Sequence, residues 1–309
     1  TAFETQDAIM ITDRYAKILR VNKSFEEITG YSAEEAIGQN PKILKSERHD
    51  ASFYKGMWET LTTRGKWMGE IWDKRKNGMV YPKWITITAV RNSIGFVSHY
   101  VAVFRDISES KRAEEEIRNL AFYDQLTGLP NRRLLDDRLH TALFASDRSQ
   151  QYGALLFIDL DNFKRLNDTQ GHDVGDLMLV EIARRLLGCV REVDTAARFG
   201  GDEFVILIED LSKDAREAAT QTRVVAEKIH QSLSEPYLLN DYEYLSTSSI
   251  GVALFHAHEQ SIKELFRYAD AAMYRAKTCG RNAGCFFDPE MQAVLEKRAG
   301  MEAELRHAL

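Results

Sequence analysis

The 309-residue sequence has few cysteines and no excess of positive charge. Its cysteines are Cys189, Cys279 and Cys285, and they show no paired spacing, which argues against a disulfide framework or a cysteine zinc site and favours a reducing, cytoplasmic setting. The net charge of −6 argues against a nucleic-acid or anionic-membrane surface. No apolar run is long enough to cross a bilayer and no signal peptide is recognisable, so we expect no membrane contact within this chain.

What the sequence does contain is enough for two globular domains. Its length exceeds that of one small domain, and a hydrophobic fraction of 44% with 10% aromatics is ordinary for a globular protein. We expect an N-terminal domain over residues 1–107, a helical linker over 108–122, a second domain over 123–287 and a C-terminal helix over 288–309.

The first domain reads as two groups of strands with short helices between them. Predicted strands cover 8–13, 18–22, 67–75, 80–91 and 96–104, and predicted helices cover 24–30, 32–38 and 53–61. Ser32 followed by Glu35 is a capping box, which fixes the start of the second helix. The Lys76-Asn77-Gly78 segment predicts a hairpin turn.

Particular residues in this stretch carry a family resemblance. They are Asp13, Val21-Asn22, Ile28-Thr29-Gly30-Tyr31, Glu34-Glu35-Ala36-Ile37-Gly38, Trp67, Gly69-Glu70 and Asp106-Ile107-Ser108-Glu109. Together they resemble the PAS family of sensor domains. The resemblance implies a five-stranded antiparallel sheet with short helices, enclosing an apolar pocket that in many members holds a cofactor or metabolite.

The residues do not identify a ligand for this pocket. Trp67 and the strand after it resemble flavin-binding members, which leaves FAD open, but the same tryptophan occurs in members without flavin. Haem needs an axial ligand, and the one candidate, His49, is expected to be solvated beside Arg48 and Asp50. No cysteine lies in this domain, which excludes a flavin–cysteinyl adduct. We expect a domain that holds no cofactor or an unidentified small molecule.

Residues 108–122 predict a charged helix. Ala113, Ile117 and Leu120 recur at steps of four and three residues, as in the seam of a coiled coil. Two interpretations stay open: a coiled coil that couples the two domains in a dimer, or a solvated single helix.

The second domain alternates helical and strand patterns. The apolar run Ala154–Ile158 predicts a buried central strand, and Val174–Val190 predicts an amphipathic helix capped by Asp173. Further predicted elements are helices at 215–233 and 262–277, a strand pair within 242–255 and a strand at 284–287.

A hairpin turn at Gly200-Gly201 places two acids, Asp202 and Glu203, side by side. Adjacent glycines between strand-like runs are a turn signal, and adjacent carboxylates repel each other unless a cation or a proton is present. Asp159, at the end of the buried strand, is the first partner we expect for Asp202. The alternative is a surface turn with solvated acids.

The second domain contains three sequence motifs, which occur along the chain in the following order. They are Asp124-Gln125-Leu126-Thr127-Gly128-Leu129-Pro130-Asn131-Arg132, Asp159-Leu160-Asp161-Asn162-Phe163-Lys164 and Arg198-Phe199-Gly200-Gly201-Asp202-Glu203-Phe204. From Leu120 to Phe287 the chain resembles the GGDEF domain of diguanylate cyclases. The resemblance implies an α/β (α+β) chain whose second domain has a central mixed sheet flanked by helices, like nucleotidyl cyclases, and which condenses two GTP into cyclic di-GMP and pyrophosphate.

The resemblance also implies roles for individual residues. The metal ligands for Mg²⁺ (or Mn²⁺) are Asp159, Asp202 and the carbonyl of Leu160. Asp202 accepts the proton of the attacking 3′-hydroxyl, and Glu203 supports the metal site. The pair that binds guanine is Asn167 and Asp176, with His172 in the same substrate-binding segment. The cations that meet the triphosphate are Lys164, Lys277 and Arg281.

Arg191 and Asp194 form an Arg-x-x-Asp motif shortly before the hairpin. In the GGDEF family this spacing marks a product-inhibition site for cyclic di-GMP. An arginine can stack on guanine and fork to phosphate, and the aspartate can accept from the base edge. A further arginine from another element usually helps in this family; here Lys228 falls near that place, with Arg223 close by.

Two expectations concern assembly and extent. One nucleotide site per domain and two GTP per product imply a catalytic homodimer. Residues 288–309 resemble the connector to an EAL phosphodiesterase domain, so we expect a piece of a PAS–GGDEF–EAL protein, with a simple C-terminal helix as the alternative.

The alternative function is a catalytically weak GGDEF domain that binds GTP or cyclic di-GMP and regulates an attached phosphodiesterase.

Overall fold

The structure, a computed structural model, describes residue 3 and residues 5–240, 242–257 and 260–288. The chain divides into two compact units between Glu116 and Ile117. The helix expected over residues 288–309 lies, except for its first residue, outside the described residues. None of the helices in the described ranges is both long enough and apolar enough to span a membrane.

The first unit is built on an antiparallel sheet of five strands in the order β2-β1-β5-β4-β3. The strands are β1 (Ala8–Asp13), β2 (Ile18–Val21), β3 (Lys66–Lys74), β4 (Val80–Arg91) and β5 (Val97–Asp106). Buried side chains alternate along β1 and β5, as expected for a sheet with one buried face. This architecture confirms the fold expected of the first domain.

Three short helices cover that face: α1 (Lys23–Thr29), α2 (Ala33–Ala36) and α3 (Ala51–Arg64). The capping box at Ser32 is present, with Ser32 and Glu35 bonded to each other's backbone N–H. A 3₁₀ turn at Pro41–Leu44, which the pattern did not predict, leads into α3. Phe25 and Leu44 are fully or nearly fully buried against strand residues Ile71 and Phe104.

His49 is not the solvated side chain that we expected. Its Nε2 accepts a hydrogen bond of 2.9 Å from the backbone N–H of Trp72, and its ring stacks on Phe53 at 4.0 Å between centroids. The histidine therefore ties the segment before α3 to strand β3, a structural task that its polar sequence neighbours did not reveal.

Helix α4 (Ser108–Phe122) begins and ends where the sequence predicted and has no buried residue. Two of its seam residues, Ile117 and Leu120, are 66% and 57% exposed. The coiled coil stays a prediction, and these apolar side chains are the ones it would cover.

The second unit contains a mixed sheet in the order β12-β11-β6-β8-β7. The strands are β6 (Tyr152–Leu160), β7 (Thr195–Gly200), β8 (Glu203–Ile208), β11 (Ser248–His256) and β12 (Gly284–Phe286), and only β11 and β12 run parallel. β9 (Tyr237–Leu239) and β10 (Tyr242–Tyr244) form a separate ribbon. The expected strand pair within 242–255 is therefore wrong, because β10 pairs with β9 while β11 enters the main sheet.

After α4, the described residues of this unit form five helices: α5 (Arg132–Ser149), α6 (Phe163–Gln170), α7 (His172–Cys189), α8 (Ala215–Ser234) and α9 (Ile262–Thr278). One apolar cluster packs α7 and α8 on the sheet, and another packs α5 and α9 on it. Strand β6 is buried almost throughout, so its polar end is held rigidly between two cores. The mixed sheet flanked by helices confirms the expected fold class.

Helix α7 starts earlier than predicted. Its N-cap is Gly171, in a left-handed backbone conformation with φ of 90°, and Asp173 lies within the first turn without capping it. The assignment of Asp173 as the cap is wrong because Gly171 reverses the chain directly between α6 and α7. This tight reversal brings Asn167 close to the start of α7.

Candidate active site

The end of β6 lies beside the tip of the β7–β8 hairpin. Asp159 is directly opposite Glu203 in the antiparallel register of β6 and β8, so their side chains point to the same face of the sheet. Asp202 precedes Glu203 at the turn, where Gly201 has a left-handed φ of 52°. Asp159 lies 43 positions before Asp202 in the sequence, and Asp202 and Glu203 are adjacent. The fold thus brings all three carboxylates to one edge of the sheet.

An arginine that the sequence did not single out braces this turn. The guanidinium of Arg198 donates to the carbonyl of Gly201 at 2.8 and 3.0 Å and to the carboxylate of Asp124 at 3.0 and 3.2 Å. The Arg198 side chain is largely buried, so these charge-assisted bonds are shielded from water. The hairpin tip is consequently fixed to the segment between α4 and α5.

Burial and neighbouring charges raise the pKa values of Asp159 and Glu203. Burial raises the pKa of Asp159, the nearby Lys277 lowers it, and the charges of Asp202 and Asp161 raise it again, leaving a net upward shift. Burial also raises the pKa of Glu203, and Asp159 and Asp202 add to that shift. A cluster of this kind favours a bound cation, because a cation offsets the repulsion.

The protein ligands available here suit a metal ion whose remaining ligands are substrate phosphates. Within the described ranges, no group of three or more His, Cys, Asp or Glu side chains is arranged to hold a metal ion. Asp159, Asp202 and the Leu160 carbonyl offer only hard oxygen atoms. Mg²⁺ is often held by one or two carboxylates with substrate phosphates in the remaining positions, and Mn²⁺ accepts the same ligands.

Lys277 contacts the acid cluster directly. Its Nζ lies 2.6 Å from Oδ1 of Asp159, and the Lys277 side chain is 30% exposed. It stands in the last turn of α9, which packs on β11 and β6. Lys164, at the start of α6, and Arg281, just after α9, are exposed and form no ion pair with another described residue.

The residues expected to bind guanine lie on α6 and α7. Asn167 packs against Gly175, where an added Cβ would come within 1.9 Å of its Oδ1, so any side chain at Gly175 would displace the Asn167 amide. That Oδ1 is buried and has no hydrogen-bond partner among the described residues. His172 and Asp176 are four residues apart on α7, hence on one face of the helix, and both are exposed.

Asp161 is a buried acid to which the sequence assigned no role. Its carboxylate accepts from Thr247 Oγ1 at 2.7 Å, Ser249 Oγ at 2.8 Å and the backbone N–H of Asn282 at 3.1 Å. Arg281 and Asn282 both have left-handed backbone, with φ of 63° and 50°. Asp161 therefore ties the end of β6 to the strained turn that carries Arg281.

The Arg-x-x-Asp motif is already paired within itself. The Asp194 side chain is 1% exposed and accepts from the backbone N–H of Arg191 at 2.9 Å and from its guanidinium at 3.2 Å. The Arg191 side chain is 57% exposed. Lys228 donates to the carbonyls of Gly188 and Cys189, both at 3.0 Å, at the end of α7, whereas Arg223 pairs with Glu227.

Comparisons with known proteins give the same division of the chain. A PAS domain family model matches residues 6–109, and a family model described as "Diguanylate cyclase, GGDEF domain" matches residues 121–283. The bifunctional diguanylate cyclase/cyclic di-GMP phosphodiesterase MucR of Pseudomonas aeruginosa is 46% identical over 64% of this chain and 28% of its own length. The cyclic di-GMP phosphodiesterase PdeR of Escherichia coli is 32% identical over 99% of this chain and 45% of its own length. The chain thus spans less than half of the length of these relatives.

Solved structures resemble the second unit. The GGDEF domain of TpbB (YfiN) from Pseudomonas aeruginosa aligns with a TM-score of 0.51 at 36% identity, over 56% of this chain and 99% of that one. The coiled coil and GGDEF domain of DgcB from Caulobacter crescentus, in complex with c-di-GMP, aligns with a TM-score of 0.52 at 28% identity, over 58% of this chain and 93% of that one. Because the GGDEF match covers more than half of the sequence, the chain belongs to the GGDEF family, with a PAS domain preceding the GGDEF domain.

Proposed function

We propose that this chain is a diguanylate cyclase that condenses two GTP into cyclic di-GMP with release of pyrophosphate. The observation that carries the proposal is the pairing of Asp159 with Glu203 across β6 and β8, which brings Asp202 to the same edge of the sheet. Phosphoryl transfer depends on in-line positioning and charge neutralisation, and this edge holds the acids together with the Lys277 ammonium.

Each residue would have a definite task in that reaction. Asp159, Asp202 and the Leu160 carbonyl would hold Mg²⁺, whose charge offsets that of the phosphates. Asp202 would accept the proton of the 3′-hydroxyl as its oxygen attacks the α-phosphorus of the facing GTP and pyrophosphate leaves. Glu203 would support the metal site. Lys164, Lys277 and Arg281 would neutralise charge on the triphosphate. Asn167 and Asp176 would bind guanine, with His172 in the same segment.

The orphaned Oδ1 of Asn167 supports the guanine assignment. A buried acceptor without a partner costs free energy, and the N–H groups of a guanine edge would satisfy it. Two domains would face each other in a homodimer, each bound 3′-hydroxyl attacking the other domain's nucleotide. Activity per chain should then fall on dilution below the dimer dissociation constant.

The direct experiment is to incubate the protein with GTP and Mg²⁺ and to separate the nucleotides by chromatography. Asp202→Asn should abolish cyclic di-GMP synthesis, whereas Asp147→Asn, at an exposed position on α5, should not change it. Undiminished synthesis by Asp202→Asn would overturn the assignment.

We propose regulation at two further places. The PAS domain would act on the cyclase through α4, and cyclic di-GMP would inhibit at Arg191. The exposure of Ile117, Leu120 and Arg191 supports both, since each is accessible to a partner helix or ligand. None of the three cysteines forms a disulfide, which supports a reducing cytoplasm as the place of action.

A second candidate function rests on the PdeR match. That relative, named a phosphodiesterase, aligns with almost the whole chain. The domain would then bind GTP or cyclic di-GMP with little turnover and regulate an attached phosphodiesterase domain. GTP binding without product in the chromatographic assay would favour this function.

A further inference from the structure

A cavity of about 490 Å³ lies in the first unit, between α3 and the sheet. Its walls are mostly aliphatic and sulfur-containing side chains: Met10, Leu44, Met57, Ile71, Ile85, Ile87 and Ala102. The aromatic side chains of Tyr54, Trp58 and Tyr100 line another part of it. A cavity of this size and character is typical of small-molecule sites.

One ion pair interrupts the apolar wall. Lys83 Nζ lies 2.5 Å from Asp73 Oδ2, and the two side chains are 3% and 8% exposed. Asp73 faces Tyr81 and Lys83 faces Ile71 in the register of β3 and β4, so the pair is diagonal on the cavity face. Removing two charges from water costs about as much as their attraction returns, which makes such a pair a poor stabiliser of the fold.

A tyrosine hydroxyl stands beside this pair without a partner. The Tyr54 hydroxyl is buried and makes no hydrogen bond to any described residue. Burial, and then the negative charge of Asp73, raises the Tyr54 pKa, so the hydroxyl keeps its proton near neutral pH. An unsatisfied buried hydroxyl is costly, and a bound molecule with a polar edge would satisfy it.

We infer that this cavity binds a neutral, largely apolar small molecule that carries a hydrogen-bond donor beside an acceptor, as a lactam does. The donor faces the Asp73 carboxylate, the acceptor faces the Lys83 ammonium, and Tyr54 bonds to the same edge. The pair is already charge-balanced, so an ionic ligand would leave a net charge in an apolar cavity, at a high cost. Lys42 and Lys45 at the rim are exposed, and Lys45 Nζ lies 4.7 Å from the centroid of the Tyr54 ring. Because both lysines are open to solvent, their charges are screened and contribute little to the balance inside the cavity.

Isothermal titration of the 309-residue chain with three probes tests this inference. 2-Quinolinone has the donor and the acceptor, 1-methyl-2-quinolinone lacks the donor, and 2-naphthoate is an anion of similar size. We expect 2-quinolinone to bind about tenfold or more tightly than either of the others. Equal binding of the methylated probe, tighter binding of 2-naphthoate, or no binding of 2-quinolinone would overturn the inference.

Substitutions in the cavity wall then test which residues cause the preference for 2-quinolinone. Asp73→Leu combined with Lys83→Met removes both charges together, which buried pairs tolerate, and should abolish the preference for 2-quinolinone while circular dichroism shows a folded chain. Tyr54→Phe should weaken 2-quinolinone binding about fivefold or more. The matched control removes the exposed pair Asp7–Arg105 of the same domain by Asp7→Leu and Arg105→Met, and should leave binding unchanged. Retained preference in both cavity variants would contradict the inference.

Discussion

Lys277 Nζ lies 2.6 Å from Asp159 Oδ1 and joins the last turn of α9 to the acidic end of β6. The ammonium keeps the Asp159 pKa lower than burial alone would allow. It therefore favours the ionised carboxylate that a metal requires. In the proposed function the same ammonium would also neutralise charge on the triphosphate.

Lys277→Met should consequently shift the pH profile of GTP turnover. Without the ammonium the Asp159 pKa rises, so the acid limb of kcat/KM moves to higher pH, and kcat/KM at neutral pH falls about tenfold or more. Initial rates across a pH series check this. Lys263→Met, at an exposed position on the same helix, is the control and should leave the pH profile unchanged. An unchanged pH profile in Lys277→Met would contradict the account.

Glu203→Gln should stabilise the nucleotide-free protein. The folded-state pKa of Glu203 is raised, so the folded state binds this proton more tightly than the unfolded chain does, and stability falls as pH rises through that pKa. At about pH 8 the variant should melt about 1–3 °C higher than the wild type. The difference should shrink as pH falls, because the wild-type carboxyl then becomes protonated too. A lower melting temperature at alkaline pH would contradict the mutual repulsion of these acids.

Asp161→Asn should impair nucleotide binding more than the chemical step. An amide has one acceptor oxygen in place of two and carries no charge, so at least one of the bonds from Thr247, Ser249 and the Asn282 N–H is lost and the others weaken. The turn that carries Arg281 is then held less firmly. We expect the KM for GTP to rise about tenfold with a smaller change in kcat. Thr247→Val removes one of the three bonds and should give a smaller effect. An unchanged KM in Asp161→Asn would remove Asp161 from the positioning of Arg281.

Arg191→Ala should relieve product inhibition and leave the initial rate largely intact. The guanidinium is more than half exposed, while Asp194 is buried and holds the arginine in place. The inhibition constant for cyclic di-GMP should therefore rise about tenfold or more. Arg184→Ala, on the exposed face of α7, is a matched control. Inhibition that persists at its wild-type strength would show that the motif has only a structural task.

Local patterns predicted much of this molecule. The unbroken apolar run of β6 and the glycine pair of the hairpin indicated a buried strand end beside an acidic turn, because both signals are short in range. The start of α7 was misplaced, because an acidic residue in a first turn resembles a cap, and Gly171 gives no helix periodicity. The sequence pattern predicted neither α5 nor α6.

Contacts between distant residues were beyond sequence reasoning. Lys277 meets Asp159, and Asp161 meets Asn282, only because β6 and β11 pair and α9 packs on them. Asp73 and Lys83 lie on the buried face of the first unit's sheet, where apolar residues are expected. That they pair with each other depends on the register of β3 and β4. Pairing register is a tertiary property, which a single sequence specifies only weakly.

A crystal structure of the chain with Mg²⁺ and a non-hydrolysable GTP analogue tests the central claim most directly. The account predicts a cation coordinated by Asp159 and Asp202 together with nucleotide phosphate oxygens, and guanine against Asn167. Nucleotide bound elsewhere, or bound here with no cation between these two aspartates, would contradict it.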